Sequence, residues 1–198
     1  MEEKLLGLVS ARRGHFRLES GHHGNLWLDL DSLFLGPRRL LPFTRELAKR
    51  LSAYRVQAIV GPKAGGAVVA EMVAAELGIP SCFSERAEGA DNGALYSVDY
   101  RVPDAFHDHL RGKAVAIVDE AINAGSATRA TFGALQALQA RPTVVGALLM
   151  LGKAASPFLQ ENDLPVEHIA YLANELWEPA DCPLCAAGVP LSTPPAAG

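Results

Sequence analysis

Residues 114–127 read Ala-Val-Ala-Ile-Val-Asp-Glu-Ala-Ile-Asn-Ala-Gly-Ser-Ala, and this stretch indicates the fold. Its first five residues form a short apolar run rich in β-branched side chains, typical of a strand buried on both faces of a parallel sheet. Two acids follow at Asp119 and Glu120. Next comes Asn123–Ser126, a turn whose residues tolerate unusual backbone angles and cap helices. Apolar residues at helical spacing then predict a helix over 127–140.

The order of strand, acid pair, turn and helix suits a sugar phosphate as ligand. Free backbone N–H groups at a helix start, with the Ser126 hydroxyl, would bind a phosphate dianion. Asp119 and Glu120 would accept hydrogen bonds from a ring diol or hold Mg²⁺. An ordinary strand-to-helix turn, whose two acids simply favour the helix dipole, explains the same residues equally well.

Strands and helices alternate along most of the chain. Hydrophobic patterning predicts helices over 2–13, 37–53 and 67–77, and strands over 56–60, 80–84, 143–151 and 166–172. This alternation indicates an α/β fold, a single domain with a mainly parallel central sheet flanked by helices. A small N-terminal β-hairpin is predicted within 14–30. Ligands of such folds bind at the carboxyl ends of the strands.

Composition narrows the class of protein. The 198 residues are 49% hydrophobic and 20% charged, which fits one domain over 1–191, with a tail at 192–198 predicted to be disordered. A net charge of −4 without a basic cluster argues against a nucleic-acid partner. No apolar run approaches the roughly 20 residues of a membrane span. Because the N-terminus lacks the basic region of a signal peptide, we expect a cytoplasmic location.

A glycine-rich turn follows the predicted strand over 56–60. It reads Gly-Pro-Lys-Ala-Gly-Gly over 61–66 and leads into a helix. Such a turn lets backbone amides approach a pyrophosphate, and Lys63 adds positive charge. The spacing is neither the dinucleotide fingerprint nor a Walker loop, and a plain tight turn is the alternative interpretation.

These two motifs resemble those of the type I phosphoribosyltransferases. Residues 118–127 resemble that family's signature for phosphoribosyl pyrophosphate (PRPP), in which two acids precede Thr-x-Gly-Thr. Glu120, Asn123 and Ser126 stand here for the second acid and the two threonines. The turn over 61–66 resembles the family's pyrophosphate loop. The resemblance implies an Mg²⁺-dependent transfer of phosphoribose from PRPP to a small nitrogenous base, by a homodimer.

The opening of the chain resembles the orotate branch of that family. Its match to Gly-x-Phe-x-Leu-x-Ser-Gly begins at Gly14 and implies a hood over the base. Two positions depart from the branch, because Glu19 and His22 stand where many members have basic residues. The base contacts that the resemblance implies are Ser20, Gly21, His22, Trp27 and Lys153.

The resemblance also implies roles for the remaining matched residues. The implied catalytic residues are Asp119, Glu120 and Arg86, and the two acids would hold the ribose hydroxyls and, through PRPP, Mg²⁺. The implied PRPP contacts are Gly61, Pro62, Lys63, Ala64, Gly65, Gly66, Glu85, Asn123, Ala124, Gly125, Ser126 and Ala127.

Residues 86–112 resemble the flexible loop that closes over PRPP and supplies cations to the leaving pyrophosphate. Between Arg86 and Arg101, however, the chain has no Lys or Arg. Three hypotheses therefore stay open. They are an orotate-type transferase, a transferase for another base, and a catalytically weak regulatory protein that binds PRPP or a nucleotide.

The C-terminal region carries a Cys-x-x-Cys motif at Cys182 and Cys185. This spacing is half of a zinc site, and no second Cys pair or spaced His pair completes it in the sequence. Zinc shared across a dimer is one interpretation. A very similar Cys-Pro-Leu-Cys tail occurs in one bacterial branch of the orotate phosphoribosyltransferases.

Overall fold

The computed structural model describes residues 1–87 and 94–193. Its strands are β1 (Ser10–Arg17), β2 (His23–Asp29), β3 (Ala58–Pro62), β4 (Ser81–Arg86), β5 (Tyr100–Arg101), β6 (Ala114–Ile122), β7 (Arg141–Leu151), β8 (Val166–Leu172) and β9 (Leu176–Trp177). Its α-helices are α1 (Glu2–Leu6), α2 (Pro37–Leu51), α3 (Gly65–Leu77), α4 (His107–Leu110), α5 (Ser126–Ala137), α6 (Ser156–Glu161) and α7 (Pro183–Ala186). Short 3-10 turns occupy Asp31–Leu35, Ser52–Tyr54, Asp104–Phe106 and Pro179–Asp181.

A six-stranded sheet with the order β5-β4-β3-β6-β7-β8 forms the centre of the fold. All of its neighbouring strands pair in parallel except β5, which is antiparallel to β4 at one edge. Strands β1, β2 and β9 form a separate antiparallel sheet. This architecture confirms the predicted α/β fold with its mainly parallel sheet and N-terminal hairpin.

The central strands are buried on both faces, as their apolar runs predict. Ala116 and Val118 of β6 pack in the core shared with α2 and α3. Their neighbours Val115 and Ile117 belong to the opposite core, which includes residues of α5 and α6. Alternate residues of a strand point to opposite faces, so one apolar run serves both helix layers.

Several sequence-based boundaries shift by one to three residues, as for the strand predicted over 56–60, which is β3 at Ala58–Pro62, and two further boundaries are wrong in kind. The helix predicted over 2–13 ends at Leu6, and the chain enters β1 at Ser10, which pairs with Asp29. Antiparallel pairing with β2 here overrides the local helical spacing. The acid pair also lies inside β6 rather than after it, because pairing with β7 continues as far as Ile122.

The order of the strands in the sheet brings the loop after β3 and the loop after β6 close together. From β3 the chain moves outward to β4, whereas β6 lies on the other side of β3 and continues to β7. The loops after β3 and β6 therefore leave adjacent strands toward opposite sides. Such a switch point opens a crevice at the carboxyl edge of a parallel sheet.

Two predicted segments lie partly outside the described ranges. Of the predicted loop 86–112, residues 88–93 fall outside, while Val98, Val102 and Leu110 are buried. Of the predicted tail 192–198, residues 194–198 fall outside, and the Ser192 N–H donates to the His15 carbonyl over 2.6 Å. Among the described helices, none has the length and apolar character needed to cross a bilayer.

Candidate active site

Three segments that are distant in sequence supply most of the lining of one cavity of about 380 Å³, and Tyr100 and Leu151 complete it. The three segments are the hairpin, the turn after β3, and the stretch from the end of β6 into α5. The lining residues are Leu18, Glu19, Ser20, Leu26, Trp27, Leu28, Leu30, Pro62, Lys63, Tyr100, Asp119, Glu120, Ala121, Ile122, Asn123, Ala124, Gly125, Ser126, Ala127, Thr128 and Leu151. The cavity thus lies at the carboxyl edge of the central sheet, where the sequence predicts a ligand.

Both acids of β6 line this cavity. Asp119 is only 7% exposed, and its Oδ1 accepts a hydrogen bond from the Glu120 backbone N–H over 2.9 Å. Burial, together with the nearby Glu120 carboxylate, raises the pKa of Asp119 well above its usual range. Within the described part of the chain, the buried Glu120 Oε2 has no hydrogen-bond partner. Asp119 thus has a backbone donor, whereas Glu120 Oε2 lacks the positive or hydrogen-donating group that a buried carboxylate oxygen requires.

The glycines of the turn after β3 allow the backbone to approach these acids. A β-carbon at Gly65 would lie 2.6 Å from Glu120 Cδ, and one at Gly66 would lie 2.5 Å from Asp119 Oδ1. A β-carbon at Gly61 would lie 2.2 Å from the Gly66 carbonyl oxygen. Side chains at these positions would displace the acids or close the turn, so the geometry itself requires glycine.

The turn between β6 and α5 has the form expected of an anion site. Gly125 has a φ of 81°, which favours glycine, and precedes Ser126 at the first turn of α5. Asn123 Oδ1 accepts a hydrogen bond from Asn174 Nδ2 over 3.0 Å. Free N–H groups at the start of this twelve-residue helix meet the cavity lining here.

Thr128 is a lining residue that the sequence analysis missed. Its side chain is buried, and its Oγ1 has no hydrogen-bond partner among the described residues. An unpartnered hydroxyl beside the turn between β6 and α5 can donate a hydrogen bond to an oxygen of a bound phosphate. Its position two residues after Ser126, on the first turn of the predicted helix, is the sequence feature that could have identified Thr128 as a phosphate contact.

The hairpin contributes an apolar cover with one polar tip. Trp27 and Ser20 line the cavity, and Ser20 Oγ lies 3.0 Å from His22 Nδ1. His22 itself is not among the lining residues. Its ring packs edge-on against Tyr96, with centroids 5.1 Å apart. Burial lowers the pKa of His22, so this side chain is not a ready cation for a base carboxylate.

Cationic side chains around the cavity are already paired with acids of the chain. Lys63 Nζ and Arg101 Nη2 approach the two oxygens of Glu85 at 3.1 and 2.6 Å. Arg86 Nη1 lies 3.7 Å from Glu19 Oε1. Since these groups are partly exposed, the pairs are weak and exchangeable. Glu85 and Arg86 thus lie beside the cavity without lining it.

The structure does not bring every predicted residue to this site. Lys153 is exposed and lines a separate depression with Met150 and Tyr171, so its contact with a base stays a prediction. Gly21, Gly61, Ala64, Gly65 and Gly66 do not line the cavity either. Cys182 and Cys185 lie elsewhere, beside the hairpin.

The acid pair fits a divalent cation carried by a diol or phosphate ligand. The unpartnered Glu120 Oε2 and the raised pKa of Asp119 both indicate carboxylate oxygens without a counter-charge. Carboxylate oxygens are the donors that Mg²⁺ prefers. Asp119 and Glu120 are the residues that would lie nearest such an ion.

Comparisons with known proteins agree with this geometry. No protein-family profile matches the chain. Among solved structures, adenine phosphoribosyltransferase from Thermoanaerobacter pseudethanolicus superposes with a TM-score of 0.68 at 16% identity, over 86% of this chain and 99% of that one. Orotate phosphoribosyltransferase from Aeropyrum pernix gives a TM-score of 0.62 at 22% identity, over 86% and 90%. These two likenesses establish the fold, that of the type I phosphoribosyltransferases.

A sequence relative establishes the family. Orotate phosphoribosyltransferase from Thermotoga maritima is 30% identical over 185 residues, which are 93% of this chain and 91% of that protein. The chain belongs to the orotate phosphoribosyltransferase family.

Proposed function

We propose that this protein transfers the 5-phosphoribosyl group of PRPP to a nitrogenous base, orotate first, and releases pyrophosphate. One observation carries the proposal. The hairpin, the turn after β3 and the acid-to-helix turn line a single cavity that also includes the buried Asp119 and its neighbour Glu120. PRPP presents a phosphate, a ring diol and a pyrophosphate, and the cavity offers a separate group of residues for each.

The 5′-phosphate would bind at the start of α5. The backbone N–H groups that follow Gly125 and the hydroxyls of Ser126 and Thr128 donate hydrogen bonds, and the helix dipole favours the dianion. The ribose diol would then face Asp119 and Glu120. Hydroxyl donation to these carboxylates supplies the partner that Glu120 Oε2 lacks.

The pyrophosphate would lie along the turn after β3. Pro62 and Lys63 line the cavity there, and the adjoining glycines keep the backbone close to the acid pair. Bound Mg²⁺ supplies neutralising charge to pyrophosphate oxygens. Lys63 and Arg86 add positive charge from the protein as the C1′–oxygen bond breaks.

The base would enter beneath the hairpin. Trp27 and its leucine neighbours exclude water, and Ser20 offers one polar contact. The base nitrogen attacks C1′ of the ribose, the bond to the pyrophosphate oxygen breaks, and pyrophosphate leaves with the electron pair. The carboxylates of Asp119 and Glu120 stabilise positive charge that develops on the ring. Positioning and charge stabilisation supply the rate, without a covalent enzyme intermediate.

A base without a carboxylate is the second candidate, because Glu19 faces the cavity. Orotate would bring its own negative charge toward this side chain. The Arg86 guanidinium lies 3.7 Å from Glu19 and offsets part of that repulsion. A base with an exocyclic amino group would instead donate to Glu19 directly.

Two further features belong to the proposal. The family resemblance supports a homodimer, to be measured by light scattering coupled to size-exclusion chromatography. A cytoplasmic location, expected from the sequence, would be measured by cell fractionation.

The choice of base is tested by pyrophosphate release with PRPP, Mg²⁺ and a panel of orotate, uracil, adenine and hypoxanthine. We expect release with orotate, and loss of at least about a hundredfold in Asp119→Asn, since the variant removes a charge that acts in the transition state. Asp163→Asn is the matched control. Asp163 is exposed and has a φ of 50°, which asparagine tolerates.

Release with another base but not with orotate would favour the second candidate. Equal rates for the protein and for Asp119→Asn would contradict the proposed role of the acid pair.

A further inference from the structure

Four metal-binding side chains meet beside the hairpin, outside the lining of the cavity. They are His15, His23, Cys182 and Cys185, and their ligand atoms all lie within 4.8 Å of one another. His15 Nε2 lies 3.0 Å from His23 Nδ1, 3.4 Å from Cys182 Sγ and 3.7 Å from Cys185 Sγ. His23 Nδ1 lies 3.2 Å from Cys185 Sγ.

These separations are those of a tetrahedral zinc site. With Zn–N of about 2.0 Å and Zn–S of about 2.3 Å, the edges of a tetrahedron measure roughly 3.3 to 3.8 Å. Of the six edges of the tetrahedron, the four given above need changes of a few tenths of an ångström. The other two, from Cys182 Sγ to Cys185 Sγ and to His23 Nδ1, are at most 4.8 Å long and would shorten by up to about 1 Å as the side chains close on one ion. Two thiolates and two imidazoles are donors that select Zn²⁺ over Mg²⁺ or Ca²⁺.

We propose that His15, His23, Cys182 and Cys185 hold one structural Zn²⁺ ion that ties the hairpin to the C-terminal segment. Four protein ligands complete the tetrahedron, and no position is left for a substrate or reactive water. The two histidines supply the half of the site that the Cys-x-x-Cys sequence alone did not reveal.

The second ring nitrogen of His15 is an independent indication. His15 Nδ1 lies 2.7 Å from the Val189 carbonyl oxygen, which can only accept, so Nδ1 carries the proton. In the neutral imidazole, Nε2 then keeps its lone pair and lies 3.0 to 3.7 Å from the other three ligand atoms. A histidine that binds metal through one nitrogen and donates to a carbonyl through the other is the usual arrangement around zinc.

The local structure of the hairpin places both histidines next to the two cysteines. The register of β1 and β2 shifts between Arg13 and Phe16, so two residues, one of them His15, stand opposite Asn25. Such a bulge redirects a side chain out of the normal alternation. His23 opens β2, where it pairs with both Arg17 and Trp177.

Burial also favours a bound ion. His15, Cys182 and His23 are 1%, 2% and 6% exposed, whereas Cys185 is exposed and leaves a path for metal entry. Buried polar groups need partners, and a cation shared among all four satisfies each donor atom at once. The ion would link residues separated by more than 160 positions in the chain.

The site has a structural consequence for the hairpin. Ser20 and Trp27, which line the cavity, belong to the same hairpin that the ion would hold. The tail is held there as well, because the Ser192 N–H donates to the His15 carbonyl oxygen. The ion would thereby fix the hood over the cavity without taking part in chemistry.

The test is the metal content of the purified full chain, read by inductively coupled plasma mass spectrometry. We expect one zinc ion per chain after dialysis against a weak chelator. Removing the zinc with a strong chelator and adding Co²⁺ should give the visible absorption of tetrahedral cobalt together with a thiolate charge-transfer band.

Variants assign the ligands. Cys185→Ala and His23→Gln should each lose most of the stoichiometric zinc and the cobalt spectrum. Cys82→Ala is the matched control, since Cys82 is buried in β4 and lies outside the cluster, and it should keep one ion per chain. Circular dichroism would verify that each variant is folded.

Three results would overturn the proposal. The first is a folded protein without stoichiometric zinc or cobalt, in which Cys182 and Cys185 both react freely with a thiol reagent. The second is a Cys182–Cys185 disulfide in protein purified under reducing conditions. The third is zinc that survives in both Cys185→Ala and His23→Gln. Because these readouts are metal content and spectra, they do not depend on the proposed transferase activity.

Discussion

Gly66 and Asp119 are in such close contact that a β-carbon at position 66 would lie 2.5 Å from Asp119 Oδ1. The glycine turn after β3 and the acid pair of β6 thus form one unit. Gly66→Ala should displace the carboxylate, reduce turnover by about a hundredfold and destabilise the fold by roughly 1–3 kcal/mol, as overpacking does. Steady-state kinetics and urea denaturation would measure both effects.

Gly133→Ala provides the matched control. Gly133 lies within α5, and a β-carbon there would meet no atom within 4 Å. The same substitution should leave turnover unchanged and stabilise the helix by roughly 0.5–1 kcal/mol. Unaltered kinetics in Gly66→Ala would contradict the coupling between the turn and the acid pair.

Asp119→Asn should stabilise the ligand-free protein at neutral pH while it removes activity. The folded-state pKa of Asp119 is raised by burial and by Glu120, so the folded state binds a proton more tightly than the unfolded chain does. Stability from this group is therefore present below its unfolded pKa, about 3.9, and is lost as pH rises through the raised value. Asparagine carries no charge and avoids that loss.

Thermal unfolding measured across a range of pH tests whether Asp119→Asn stabilises or destabilises the protein. The Tm of Asp119→Asn should exceed that of the unsubstituted protein at pH 7, and the difference should shrink as the pH falls below about 3.9, where Asp119 becomes protonated in the unfolded state as well. A variant that is less stable at pH 7 would indicate that the carboxylate is instead stabilised by a partner.

Thr128→Val should raise the KM for PRPP several-fold and leave the fold as stable or more stable. The Thr128 hydroxyl is buried and has no partner in the described ranges, and leaving such a group unsatisfied costs about 1–3 kcal/mol. Valine has nearly the same shape and removes that cost, but it cannot donate to a phosphate oxygen.

Thr131→Val, on the same helix, separates the two effects. Thr131 Oγ1 lies 2.6 Å from Ser84 Oγ, so its removal leaves Ser84 unpaired and should destabilise by roughly 1–3 kcal/mol. The KM for PRPP should stay unchanged in this control. Equal KM values for Thr128→Val and the unsubstituted protein would remove Thr128 from the phosphate site.

Glu19→Gln should lower the KM for orotate several-fold. The substitution removes a negative charge from the cavity wall. The amide oxygen of glutamine can still accept the hydrogen bond that the Tyr100 hydroxyl donates to Glu19 over 3.4 Å in the unsubstituted protein. Because Glu19 and Arg86 are 41% and 45% exposed at their side chains, the cost in stability should stay below about 1 kcal/mol. A higher KM for the preferred base would instead show that Glu19 binds that base.

Local sequence patterns predicted the central sheet and the main parts of the site. Strand β8 begins and ends at Val166 and Leu172 as predicted. Asp119 and Ser126 lie together on one cavity, as expected for the loops at the carboxyl edge of a parallel sheet.

Other features depend on contacts that no local pattern contains. Residues 10–13 follow closely on α1, yet they form β1 because they pair with residues 26–29 of β2. His15 and Cys182 are 167 positions apart, so their contact cannot be inferred from spacing. The orphan hydroxyl of Thr128 likewise became visible only once its surroundings were known.

Transfer itself is tested most directly by a single-turnover reaction with the protein in excess over orotate and with saturating PRPP and Mg²⁺. Mass spectrometry would follow orotate, orotidine 5′-monophosphate and pyrophosphate, so that even a slow reaction is detected. The account predicts complete conversion, one pyrophosphate for each nucleotide formed, and conversion at least about a hundredfold slower with Asp119→Asn. Orotate left unchanged by a folded protein that binds PRPP would contradict it and would favour a binding protein or a different base.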